Sequence, residues 1–96
     1  MISPRLSDNG SVLQLAGELL FESAPDLLAT LEDLDLSRTD VFDVSAVTHI
    51  DSAGLAALLA LKNRWLSAEK VSLRGASPQL VSLVEVTGVG GILATG

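Results

Sequence analysis

The stretch from Val41 to Arg74 reads as strand, helix, strand, and that order leaves few folds open. Val41 to Val44 is a short strand-type run, followed by Ser45-Ala46-Val47-Thr48-His49-Ile50. Asp51-Ser52-Ala53-Gly54 then opens a helix that the spacing carries to about Ala68. Lys70 to Arg74 alternates again, with Val71 and Leu73 facing one way. Two strands joined through a helix lie parallel in one sheet, because a parallel pair needs a long crossover.

The flanking segments extend this pattern. Residues 2–6 fit a short edge strand, where Pro4 is tolerated. Asp8-Asn9-Gly10 is a turn signal, and Ser11 to Ala16 alternates, with Leu13 and Leu15 on one face. The two runs make an N-terminal hairpin. After Gly17-Glu18-Leu19-Leu20-Phe21-Glu22, Ser23 stands as an N-cap, with Pro25 near the first helical position and Asp26 in the first turn. Leu27, Leu28, Leu31 and Leu34 form the stripe of that helix, and polar Asp35 to Asp40 ends it. Pro78 opens a third helix carrying Leu80, Leu83 and Val84, with Gly88 as its C′ residue, and Ile92-Leu93 can form a last strand. The expectation is one α/β domain over 1–96, ordered ββαβαβα with a possible final strand. Its sheet is mixed but mostly parallel and packed against helices. The expected core is Val12 or Leu13, Leu15, Leu28, Leu31, Val44, Leu55, Leu59, Val71, Leu73, Leu80 and Leu83.

The helix opening at Asp51 has two unlike faces. Placed at helical intervals, Leu55, Leu58, Leu59, Trp65 and Leu66 share a broad arc, with Leu61 at its margin. The opposite face carries Ala53, Ala56, Ala57 and Ala60, flanked by Ser52, Asn63, Arg64 and Ser67. A run of alanines lets another backbone come close and has little side-chain entropy to lose on binding. Alanine is also simply the best helix former. Ser52, beside that face, admits two readings. The backbone N–H groups and dipole of a helix start can stabilise a phosphate; equally, Asp51 or Ser52 can be a plain N-cap.

Composition excludes several functions. Six Lys and Arg stand against twelve Asp and Glu, a formal net charge of −6, and no basic block exists. Such a surface repels a phosphate backbone and an anionic membrane, so nucleic acid is not an expected partner. Cysteine is absent, which removes disulfides, thiolate metal sites and a cysteine nucleophile. His49 is the only histidine, so no metal or other cofactor is expected and no catalytic residue is assigned. Asp43 and Asp51 can flank one strand end, but turn and cap roles explain both. Gly88, Gly90 and Gly91 follow a helix and lack the Lys-Ser/Thr of a phosphate loop. The longest apolar or small run, Ala53 to Leu61, is well short of the about 20 residues a membrane span needs. The chain reads as soluble, not exported and without direct membrane insertion.

The segment Val47-Thr48-His49-Ile50-Asp51-Ser52-Ala53-Gly54-Leu55 resembles the signature of STAS domains, the family of anti-sigma-factor antagonists and sulfate-transporter tails. Ala16-Gly17-Glu18-Leu19, Asp43-Val44-Ser45, Leu73-Arg74-Gly75-Ala76-Ser77 and Gly88 to Leu93 are similar to further family elements, in the same order. The resemblance implies a non-enzymatic cytoplasmic docking module. In one branch of the family the domain is a small subunit bound to the ATPase of a phospholipid-trafficking ABC transporter, the Mla system. Gly17-Glu18-Leu19-Leu20-Phe21 looks more like that branch. In the alternative, anti-sigma-factor antagonists, a partner serine kinase phosphorylates the residue that here is Ser52. The expected partner surface comprises Asp51, Ser52, Ala53, Ala56, Ala60 and Asn63. Two residues depart from the family pattern: Lys62 falls inside the apolar arc, and Ala57 is small for its position.

Overall fold

A computed structural model describes residues 2–95. The elements are β1 (Ile2–Ser7), β2 (Val12–Leu19), α1 (Ala24–Leu31), β3 (Val41–Ile50), α2 (Ser52–Trp65), β4 (Val71–Arg74), α3 (Pro78–Thr87) and β5 (Leu93–Ala94). The expected order ββαβαβα is present, and the final strand forms one residue later than Ile92-Leu93. The turn between β1 and β2 holds Asp8, Asn9 and Gly10 at positive φ, which suits Asn and Gly and costs Asp8 some strain.

The five strands lie in sequence order, β1 antiparallel to β2 and every later pair parallel. Sequential parallel strands joined by right-handed crossovers place all their helices on one side of the sheet. Burial agrees: Leu13, Leu15, Phe42, Val44, Val71 and Leu73 are buried, whereas Gln14, Ala16, Ser45, Ser72 and Arg74 between them are exposed. The core lies between that sheet face and the helices.

Strand β3 is longer than the run Val41 to Val44. It reaches Ile50, and its register against β2 shifts twice, between Gln14 and Ala16 and between Gly17 and Glu18. At each shift β3 carries one residue more than β2, and such bulges bend a strand and re-aim its side chains. Gly17 takes a φ of 106° there. As a result the two strands end together, with Leu19 paired to Ile50.

Helix α2 differs in phase and length from the sequence expectation. Its buried residues are Gly54, Leu55, Ala57, Leu58 and Leu61. Leu61 is therefore central rather than marginal, and Leu59 is only half-buried. The arc expected from large apolar side chains ignored Gly54, whose bare Cα lies against the backbone of Leu19 and turns the 54–58–61 line onto the sheet. Ala57 is buried by the same rotation, which accounts for its small size. The helix stops at Trp65 rather than near Ala68, where Leu66 turns to extended backbone. Lys62 is half-buried, as fits a lysine stem lying along apolar surface. Leu28 and Leu83 also pack on the edge of the core without being fully covered; Leu27 and Leu31 take the buried positions on α1, and Leu80 and Val84 those on α3.

Candidate docking site beside the α1–α2 groove

The start of α2 is fixed by Asp51. Its Oδ1 accepts the Gly54 N–H at 2.8 Å, which makes Asp51, not Ser52, the N-cap. Its Oδ2 accepts the Phe21 N–H at 3.2 Å from the loop that follows β2. The Asp51 N–H donates to the carbonyl of Leu19 at 3.4 Å. One residue thus ties the end of β2, the loop before α1 and the first turn of α2.

Gly54 makes this junction possible. A Cβ at this position would collide with the carbonyl group of Leu19. Gly54→Ala should therefore destabilise the domain by about 1–3 kcal/mol, the range for forcing an extra methyl into packed structure. Urea unfolding checks this; an unchanged midpoint would mean that α2 sits farther from β2 than described.

Ser23 occupies the N-cap position of α1 but does not cap it with its side chain. Its Oγ instead accepts the Leu20 N–H and donates to the Glu18 carbonyl, both at 2.8 Å. The hydroxyl turns backward because Ser23 already has helical φ and ψ. It closes the loop on whose crest Phe21 stands, 71 % exposed.

Between α1 and α2 runs an apolar groove of about 410 Å³. Phe21, Ala24, Pro25 and Leu28 line one side, and Ala53, Ala56, Ala57 and Ala60 the other. Of the expected surface, Ala53, Ala56 and Ala60 lie in this groove. Ser52 is exposed on the first turn of α2, and Asn63 is exposed farther along the helix. Asp51 is half-buried, because both its oxygens are spent on the junction. Phe21, Pro25 and Leu28 were not among the expected surface residues. Phe21 carried a signal: it is one of two phenylalanines, and it ends the short run Leu19-Leu20-Phe21 just before polar Glu22 and Ser23.

The other candidate groups lie elsewhere or do local work. Asp43 does not join Asp51. Its Oδ1 accepts the Ser45 hydroxyl at 2.6 Å and the Ser45 N–H at 3.0 Å. Those two bonds hold its carboxyl below the usual carboxylate range. His49 is an exposed strand-end residue, with Nδ1 3.7 Å from Glu18 Oε2. Trp65 is half-buried against the core, with the Arg64 guanidinium 4.8 Å from its ring. Gly88 ends α3 in the left-handed conformation. Among the described residues no helix is long and apolar enough to cross a membrane.

Residues 2–94 match the family model described as "Mlab, STAS domain". Among solved structures, the chain is similar to an antisigma-factor antagonist STAS domain from Rhodobacter sphaeroides, with a TM-score of 0.53 and 25 % identity. That match covers 83 % of this chain and 94 % of the other. No curated protein matches the chain. A five-stranded mixed sheet packed against three helices, with Asp51-Ser52-Ala53-Gly54 at its strand-to-helix junction, is the STAS arrangement, and the chain belongs to the STAS domain family.

Proposed function

We propose that this STAS domain is a non-enzymatic docking module whose binding surface is the Ser52 end of α2 together with the α1–α2 groove. The observation that carries this reading is the groove itself. Its α2 wall is made of alanines that let a partner approach closely, and Phe21 at its rim is left largely in water. An exposed aromatic next to an apolar cleft is the composition of an interaction surface. The partner we infer is the ATPase of a phospholipid-transport ABC system, for which the domain serves as a cytoplasmic regulatory subunit. The match to the Mlab-type family model supports this choice.

A second reading has its own support. The similar structure is an antisigma-factor antagonist. In that reading the partners are a serine kinase and an anti-sigma factor, and phosphorylation of Ser52 switches the complex. The phosphoryl group would pass from ATP to Ser52 Oγ, the hydroxyl proton leaving to the kinase and ADP departing.

Affinity capture with the full chain tests both. Co-purification of a transporter ATPase, lost on Ala56→Glu, is the expected result. Capture of a serine kinase, with one phosphate appearing on Ser52, would replace the first reading by the second.

A further inference from the structure

We propose that Asp51 is a positioning residue that holds Phe21 at the rim of the groove and transmits to it any charge placed on Ser52. The inference rests on the docking surface proposed above and adds its regulation. Phe21 is not held by packing, since most of its surface is in water. The hydrogen bonds of Ser23 tie its own end of the loop to Leu20 and to Glu18 at the end of β2, and neither engages Phe21. The bond that ties the Phe21 backbone to another element is the one to Asp51 Oδ2, across thirty residues of sequence. The other oxygen of the same carboxylate is fixed by the Gly54 N–H. The carboxylate therefore has one geometry in which both donors are served, and that geometry sets where Phe21 stands.

Ser52 adjoins this carboxylate in the chain and is exposed. An anion on Ser52 repels Asp51 and competes with it for the N–H groups of the first turn of α2. When Asp51 yields, the Phe21 N–H loses its acceptor and the loop is free to leave the rim. A charge at Ser52 would then oppose docking twice, by its own hydration and by unseating the aromatic.

The occupant this geometry fits is a partner helix with an apolar stripe flanked by Lys or Arg. The groove runs between two helices and is apolar along its walls. At the end where α1 begins, Glu18, Glu22 and Asp26 gather beside Leu20 and Ser23. Apolar residues laid between the helices match the groove, and cations that reach past the first turn of α1 meet those carboxylates on its other flank.

The test uses the full ¹⁵N-labelled chain with no partner. Asparagine caps a helix about as well as aspartate but has only one side-chain oxygen. In Asp51→Asn, amide exchange at Phe21 should quicken by about tenfold while Gly54 stays within about threefold, as expected for loss of one local hydrogen bond. Ser52→Glu, an exposed change with no packing to disturb, should produce the same change at Phe21. Unaltered Phe21 exchange in Ser52→Glu, or in a folded Asp51→Asn, overturns the proposal. Binding is a separate arm, read against the ATPase captured as above. If Phe21 is released yet affinity is unmoved, the positioning role stands and the groove is not the docking surface.

Discussion

Truncating Leu58 to alanine should cost the domain about 2–5 kcal/mol, the range for emptying a fully enclosed leucine site. Leu59→Ala, one residue later, should cost only about 1 kcal/mol, the centre of the distribution over point substitutions in general. Leu58 has no exposed surface, whereas Leu59 is half-buried. Adjacent residues of one type, in one helix, differ in propensity by nothing, so the comparison isolates packing. Urea unfolding of both variants, followed by the fluorescence of Trp65, measures it. Equal losses would restore the helix phase in which Leu55, Leu59 and Trp65 face the sheet. A large loss at Leu58 with a small one at Leu59 would establish the line through Gly54, Leu58 and Leu61.

The fold was legible because its periodicities are local. Alternation in Ser11 to Ala16 and in Lys70 to Arg74, and helical spacing after Asp51 and Pro78, are properties of neighbouring residues. What was hidden depends on backbone meeting backbone. Nothing in the order Val47-Thr48-His49-Ile50 announces two bulges, because a bulge is a relation between β3 and β2 and not a property of either. The phase of α2 was misjudged for a related reason. A wheel weights side chains, and the residue that decides the phase has none: Gly54 acts by permitting contact with Leu19.

The surface divides along the same line. Ala53, Ala56 and Ala60 could be placed on one helix face from spacing alone, and the structure does line the groove with them. The opposite wall comes from α1, thirty residues earlier, and spacing within α2 carries no information about it. Ser23 shows the limit of cap signals. Its position is that of a cap, but its hydroxyl serves the preceding loop. At the start of α2 the sequence left Asp51 and Ser52 open as caps, and the bond from Gly54 selects Asp51. That selection has a consequence for Ser52: its hydroxyl is not needed to begin the helix.

Replacing Ser52 by glutamate should therefore weaken partner binding by at least about tenfold, or about 1.4 kcal/mol, while leaving the thermal midpoint nearly unchanged. Stability is spared because an anion at a helix N-terminus is favourable and offsets what the Asp51 cap loses when it yields. Binding suffers because a surface shaped for a neutral hydroxyl next to alanines would have to take up a hydrated charge, and burying unpaired charge is costly. A phosphate adds more, about −1.5 to −2 charges, and should act in the same direction more strongly. Ser52→Ala separates charge from shape. It removes the hydroxyl, adds nothing to be desolvated and should bind nearly as the native chain does. Capping loss, about 0.5–2 kcal/mol, is expected instead for Asp51→Ala. Calorimetric titration of each variant against the captured partner, with melting curves alongside, reads both quantities on the same samples. Equal affinity for the native chain and Ser52→Glu would take Ser52 out of the interface. A fall in midpoint that matched the loss of affinity would assign the effect to folding, and the switch would then have to be sought in the loop that carries Phe21.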